Sequence, residues 1–244
     1  MFNNSKRFLV YLGLLLIILT LSSCIFFRML EVRDQLNDIE TNFDLNDERG
    51  LTLVFKNPAL LSDDVIWLMK GSPVSVKPEE DGQLWRYVFQ KQHTTSQTEG
   101  DKYDIPILMV MEDDKLTEVT FPERFLKNLS IPLLKQMLAS MGNADISKLS
   151  KSASSTYTSE DPTKIPTSDN VVETLGVPYE IEDLGENSKF EYLYYLEDAQ
   201  GNANKDNLNF ELWFIAGKDD KVLKKVGGKI RGIKLSLDFD TPQK

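Results

Sequence analysis

An internal repeat limits the fold of this chain more than any other feature of its sequence. When the sequence is displaced by 105 residues, Tyr87 falls on Tyr192, and LWRYVFQK at residues 84–91 lies over KFEYLYYL at residues 189–196. Helix-ending glycines and Asp-Asp-Lys turns match at nearly the same offset. Several blocks that recur in one order predict two copies of one structural unit.

Each copy begins with a segment typical of a short helix. Ser62 or Thr167 can cap this helix, and Gly71 or Gly176 can end it. An acidic loop and then β-branched and aromatic segments follow, which predict strands separated by polar turns. We therefore expect an α+β fold of two tandem repeats, each a short helix packed on an antiparallel meander of three to four strands.

Helical patterns flank the first copy. Apolar residues from Met29 to Phe43 recur at steps of three and four, which predicts an amphipathic helix, and a second helix is expected near Ser130 to Met141. The predicted organisation is a signal peptide at 1–23, a lipid anchor and amphipathic helix at 24–49, a first unit at 50–146, a Ser- and Thr-rich linker at 147–166 and a second unit at 167–244.

The N-terminus has the pattern of an export signal. Lys6 and Arg7 precede a dense apolar segment, and Leu21-Ser22-Ser23-Cys24 follows it. This ending resembles the lipobox of bacterial lipoproteins, which implies cleavage between Ser23 and Cys24 and attachment of lipid to the Cys24 thiol. An uncleaved signal anchor is the alternative, because residues 8–27 carry no charge and are long enough to span a bilayer.

Both interpretations place the body of the protein outside the inner membrane, because positive residues stay in the cytoplasm. In the lipoproteins that this chain resembles, a residue other than Asp after the cysteine permits transfer to the outer membrane, and Ile25 fits that rule. We expect a body in the periplasm, anchored by lipid on Cys24 with the outer membrane favoured. A formal net charge of −10 argues against nucleic acid as a partner.

The sequence has no pattern typical of an enzyme. Because it has one histidine, His93, it cannot form a metal site with several histidine ligands. Acidic loops supply candidates for paired-carboxylate hydrolysis, namely Glu79, Glu80, Glu182 and Asp183. Carboxylates in such glycine-containing loops are usually solvated, and the nucleophile motifs of known hydrolases are absent from the sequence. We predict no catalytic residue, no metal and no cofactor.

Aromatic residues alternate along the predicted strands, which places them on one face of each meander. Two interpretations are open, since this face can pack against the helices as core or can receive a partner. The residues concerned are Trp85, Tyr87, Phe89, Tyr192, Tyr194 and Trp213.

The pattern Ser/Thr-x-x-x-Val-x-x-x-Leu-Gly-x-Pro, followed by an acidic loop and an aromatic strand, resembles the BamE (SmpA/OmlA) family of small outer-membrane lipoproteins. The second copy carries it at Thr167 or Ser168, Val171, Leu175, Gly176 and Pro178. The first copy carries it at Ser62, Ile66, Gly71 and Pro73, with Lys70 in place of the usual leucine. Members of that family have one unit, and the tandem arrangement is similar to that of the β-lactamase inhibitor proteins.

The resemblance and the N-terminus together imply a non-catalytic lipoprotein that acts as a protein-binding or scaffold module in the bacterial cell envelope. Its role would be in outer-membrane assembly or maintenance, with envelope proteins as partners. The alternative is an exported inhibitor or small-ligand-binding lipoprotein that uses a concave surface between the two units.

Overall fold

A computed structural model of the chain describes residues 25–94, 100–147, 149–159, 161–203 and 210–240. Ser23 and Cys24, and with them the predicted cleavage and lipid attachment, lie outside the described residues. Within the described ranges, every helix is too short or too polar to cross a membrane.

Helices occupy both ends of the first unit and the start of the second. Helix α1 covers residues 25–35. The other α-helices are α2 (Ile39–Asn42), α3 (Ser62–Met69), α4 (Ile131–Gly142) and α5 (Ser168–Leu175). Short 3₁₀ helices cover Leu36–Asp38, Gly100–Tyr103, Glu123–Lys127 and Pro162–Lys164. The amphipathic stripe expected from Met29 to Phe43 is thus divided, and Phe43 already belongs to a strand.

Strands form most of the remaining described structure. They are β1 (Phe43–Asn46), β2 (Leu51–Phe55), β3 (Ser75–Glu79), β4 (Gly82–Lys91), β5 (Ile105–Glu112), β6 (Lys115–Phe121), β7 (Asp145–Ser147), β8 (Ser152–Thr158), β9 (Glu180–Leu184), β10 (Asn187–Leu196), β11 (Phe210–Gly217), β12 (Leu223–Ile230) and β13 (Ile233–Asp240). The residues predicted as a linker therefore contain β8, which pairs in parallel with β13.

The expectation of short helices on two small meanders is wrong. The strands form one mixed 13-stranded sheet in the order β1-β2-β6-β5-β4-β10-β11-β12-β13-β8-β7, with β3 also paired to β4 and β9 to β10. The fold is therefore only partly of the α+β class that we expected. The two copies merge because the ends of β4 and β10 pair with each other, and this pairing covers strand edges that separate meanders would leave open.

The junction between the copies has pseudo-two-fold symmetry. Gln90 and Tyr195, which the 105-residue offset matches, lie directly opposite each other in the antiparallel β4–β10 pair. Phe89 lies opposite Leu196 and Lys91 opposite Tyr194, so each contact has its exchanged counterpart. Self-complementary pairing of this kind is that of an isologous dimer, here within one chain.

The repeat is present in the structure, with a shift of one residue in the helices. Strands β3, β4 and β5 begin 105 residues before β9, β10 and β11, whereas α3 begins 106 residues before α5. Lys70, in the left-handed conformation with φ of 61°, is the additional residue at the end of α3. Buried Met69, and not Lys70, therefore takes the place of buried Leu175.

The two helices start in the same way. Residue Leu61 precedes α3, so Ser62 is the first helical residue and not the cap that we expected. The Asp64 carboxylate accepts the Leu61 N–H at 2.9 Å, and the Asn170 side-chain oxygen accepts the Thr167 N–H at the same distance. Each bond satisfies a backbone donor at the start of its helix.

In each unit, a buried tyrosine of the sheet forms a hydrogen bond with a glycine just beyond the end of the helix. Tyr87 donates to the Gly71 carbonyl at 3.2 Å, and Tyr192 donates to the Gly176 carbonyl at 3.0 Å. Both tyrosines have 0% of their surface exposed. These paired bonds explain why Gly and Tyr recur at one offset in the sequence.

Helix α4 bridges the two ends of the curved sheet. It contacts β1 near one edge and β8 near the other. Gln136 of α4 accepts a hydrogen bond from Tyr157 of β8 at 2.7 Å, while Lys135 pairs with Glu40 of α2 at 3.0 Å. Gly142 lies so close to Asn37 that an added Cβ would be 2.6 Å from its backbone nitrogen. The sheet therefore curls around a helical layer, and the core lies between them.

Candidate functional site

The predicted aromatic partner surface is, for the most part, core. Trp85, Tyr87, Phe89, Tyr192 and Tyr194 expose between 0 and 6% of their surface. They point to the face of the sheet that the helices cover, because helices must pack on the more apolar face. These five residues are therefore not available to an envelope partner in this structure.

Trp213 lies on the opposite face of the sheet. It is half-buried and covers Gly227 of the neighbouring strand, where an added Cβ would lie 2.3 Å from the indole. The flanking pair Lys229 and Glu211 joins the same strands at 2.8 Å. Trp213 therefore packs across a glycine and does not join the other predicted aromatic residues.

The candidate carboxylates are solvated. Glu79, Glu80, Glu182 and Asp183 are all exposed on or beside β3 and β9. A hydrogen bond from Lys218, a second from the Gly185 N–H and the positive charge of Lys218 lower the pKa of Asp183. A lowered pKa suits a surface ion pair and not a general acid.

The single histidine does not join a group of potential metal ligands within the described ranges. His93 is half-buried beyond the end of β4. Within the described ranges, no group of three or more His, Cys, Asp and Glu side chains is placed to hold a metal ion.

The most distinct site is an apolar cavity of about 400 Å³ beneath the helical layer. Its floor is the inner face of the sheet on both sides of the junction. Its lining is Met69, Phe89, Ile105, Ile107, Phe121, Phe125, Asn128, Leu129, Met137, Pro166, Asn170, Val171, Thr174, Leu175, Phe210, Leu212, Phe214, Leu223, Val226, Ile230 and Phe239. The volume falls within the range of small-molecule sites, which is about 300–1,000 Å³.

The two copies contribute unequally to this cavity. Ile105 and Ile107 of β5 are buried at 3% and 7% exposure. Their counterparts on β11, Phe210 and Leu212, are only partly buried although they face the same layer. Phe214 continues that stripe. The second copy therefore keeps an apolar face that its own elements do not fully cover.

Three polar residues of the lining satisfy one another. Asn170 donates to the Asn128 side-chain oxygen at 2.8 Å, and Asn128 donates to the Asn170 carbonyl at 3.2 Å and to the Thr174 hydroxyl at 3.0 Å. Every other lining residue is apolar. A ligand that fills this space must therefore be mainly apolar, because the wall carries no charge to pair with.

An arginine network lies beside the cavity at the end of α5. Arg124 donates to the backbone carbonyls of Thr174, Tyr103 and Asp104 at 3.0, 3.2 and 2.6 Å. Burial lowers the Arg124 pKa, although the negative charges of nearby groups oppose this change. Arg124 thus joins the segment after β6 to the end of α5, in the other copy.

The cavity residues were not identified from the sequence as a site. One signal was available, because Phe210, Leu212 and Phe214 alternate along a predicted strand. Alternation alone indicates an inner face and does not show whether that face is filled.

No protein-family model, curated protein or solved structure matches this chain.

Proposed function

We propose that this chain is a lipid-anchored, non-catalytic protein of the bacterial cell envelope that binds a hydrophobic molecule in the cavity between its two units. The observation that carries the proposal is the uncharged 400 Å³ cavity. An engineered apolar cavity of about 150 Å³ stays dry and binds benzene, so a larger one is able to take a longer apolar group.

The envelope location of this proposal rests on the sequence. The N-terminal pattern from Lys6 to Cys24 resembles that of lipoproteins, and an anchored body would lie close to membranes from which apolar molecules can be taken up. The pairing of Arg28 with Asp64, through Nε and Nη2 at 2.5 and 2.6 Å, supports a body held next to the anchor. Arg28 is only four residues beyond Cys24.

Photolabelling of the full-length protein tests this proposal. The protein is placed in phosphatidylcholine nanodiscs with hexadecanol that carries a diazirine on its chain, and the labelled peptides are identified by mass spectrometry. We expect labels on cavity residues of β11 and α5. Labels confined to residues 1–40 would contradict the proposal, because they would report only the membrane.

A variant that fills the cavity can be compared with a matched variant at the protein surface. Leu212→Trp places a larger side chain in the cavity, while Leu184→Trp makes the same change on β9, where the leucine is 42% exposed. We expect Leu212→Trp to lower cavity labelling at least tenfold and Leu184→Trp to leave it unchanged. Leu212→Trp should also leave the melting temperature unchanged or raise it, because filling a void adds contacts.

A protein-binding role is the second candidate, and the edge strands support it. Val76 of β3 and Ile181 of β9 occupy equivalent positions and are 49% and 58% exposed. Among the described strands, β3 pairs only with β4 and β9 only with β10. Such edges can add a strand from a partner. Cross-linking of Val76→Cys and Ile181→Cys variants in cells would test this, and recovery of no envelope protein from either site would count against it.

A further inference from the structure

We propose that the ligand of this cavity is an amphiphile with one acyl chain and an anionic head group, and that Arg231 binds that head group at the surface. This inference rests on the proposed function. It adds the chemical class of the ligand, the position of its polar end and a residue that determines specificity.

Arg231 lies next to a residue that lines the cavity and is itself half-buried. Its neighbour Ile230 lines the cavity on the β12–β13 hairpin, and Met69 lines it on α3. The Arg231 guanidinium stacks on the Trp67 ring, with its central carbon 4.3 Å from the ring centre. Trp67 is 38% exposed, so this contact lies at the protein surface.

The boundary of the cavity on the other side, next to α5, is held by more hydrogen bonds. By pseudo-symmetry, the Trp67–Arg231 contact corresponds to the contact between α5 and the segment after β6. There Arg124 donates to several backbone carbonyls, and Asn128 and Asn170 bond to each other. The Trp67–Arg231 side depends on a stacked pair of partly exposed side chains. We infer that a chain in the cavity reaches solvent beside Arg231.

Arg231 occupies a turn position that glycine would fill without strain. Arg231 and Gly232 form the two-residue turn of the β12–β13 hairpin, with φ of 50° and 78°. This turn prefers Asn or Gly at both positions, and an arginine with positive φ is strained. Positive φ also occurs at Lys70, Asp113, Asp114, Lys151 and Lys221, so this conformation alone assigns no role to Arg231, but it makes glycine a substitution that the turn accepts.

Charge selects the head group. The cavity wall is uncharged, so the apolar chain lies inside and a charged group must remain at the mouth. Within the described ranges, the Arg231 guanidinium donates no hydrogen bond, and its ring contact leaves its N–H edge available. A planar guanidinium binds carboxylate or phosphate through two parallel hydrogen bonds. A cavity near the lower end of the usual range accommodates one acyl chain more readily than two.

Paired photolabels test this inference. Full-length protein in phosphatidylcholine nanodiscs is labelled with diazirine forms of palmitate, of a monoacylglycerol phosphate and of hexadecanol, which share an apolar chain and differ in the end group. We expect both anionic probes to label the cavity about tenfold more strongly than hexadecanol. The stronger of the two anionic probes distinguishes a carboxylate from a phosphate ligand.

Arg231→Gly separates recognition from folding. Glycine relieves the positive φ, so the melting temperature should stay the same or rise. We expect labelling by the anionic probes to fall about tenfold in this variant, with hexadecanol labelling unchanged. Arg231→Lys should retain part of the preference, because it keeps the charge without the planar fork. Lys234→Gly is the matched control, because Lys234 is an exposed cation on the same hairpin.

The outcomes distinguish the two proposals. If all three probes label the cavity equally and Arg231→Gly does not change that labelling, the anionic-ligand inference is overturned. The hydrophobic-ligand function would still stand. Failure of every probe to label the cavity would overturn both.

Discussion

Replacement of Asp64 by Asn should release helix α1 from the body without unfolding helix α3. Asp64 is 4% exposed and accepts two hydrogen bonds from Arg28 of α1 and one from the Leu61 N–H. The second copy shows that an amide can replace the carboxylate in the helix cap, since Asn170 accepts the equivalent N–H there. Asp64→Asn therefore keeps the cap of α3 and removes the charge that Arg28 needs.

The size of the effect follows from the exposure of the pair. The Arg28 side chain is 22% exposed and that of Asp64 is 5% exposed, so water only partly screens their attraction. Hydrogen bonds to charged groups contribute about 1.5–3 kcal/mol. We take about 2 kcal/mol for this pair, which corresponds to an increase of about 30-fold in the opening of α1.

Hydrogen–deuterium exchange of the full-length protein in nanodiscs measures this opening. We expect amides of residues 25–35 to exchange about 30-fold faster in Asp64→Asn and those of α3 to keep their rates. Asp63→Asn is the control, because Asp63 is exposed and next to Asp64 in the chain. Equal acceleration of α1 and α3 would refute the argument, since it would mean that the cap had been lost. Unchanged exchange rates in α1 would show that the Arg28–Asp64 pair does not hold this helix on the body.

Three further results are expected. Burial raises the pKa of Asp64, but hydrogen bonds from Arg28 and a backbone N–H and the charge of Arg28 outweigh it, so the pKa lies below its ordinary value. The pair therefore stabilises the fold fully above about pH 4 and is lost as pH falls through the lower folded pKa, which pepsin cleavage within α1 should report. Tyr87→Phe and Tyr192→Phe should each lower the free energy of unfolding by about 1 kcal/mol in urea titrations, and effects that differ by more than about 1 kcal/mol would contradict their equivalence. Cys24→Ala should leave the body folded but release it from its membrane or move it to a different one, whereas an unchanged membrane location in cell fractionation would favour an uncleaved anchor.

The 105-residue offset between matching strands is the part of the fold that the sequence could predict, whereas the two separate meanders that we expected from it are wrong. Matching strands begin at the predicted offset because alternating aromatic residues record which face of each strand is buried. The shift at Lys70 was not predicted, since one extra residue at a helix end changes no pattern. The β4–β10 junction was not predicted either, because strands join at their edges through backbone hydrogen bonds, and the side-chain pattern does not show which edges will pair. The resulting single sheet, and the strand β8 within a Ser- and Thr-rich segment, follow from tertiary pairing that overrides local composition.

The cavity follows from an inequality between two otherwise equivalent units. Two identical copies related by a two-fold axis would bring two equal apolar faces together. Each face would then need the same elements packed over it. The single helix α4 contacts both β1 and β8, so it spans the curled sheet and does not lie on one copy alone. The first copy meets this layer with Ile105 and Ile107, which are buried, while the second presents Phe210 and Leu212, which are only partly buried. The space that remains lies beside the junction, and residues of both α3 and α5 line it. The sequence repeat therefore predicts the apolar strands that line the cavity. The cavity itself arises because the apolar face of the second copy is less completely covered than that of the first.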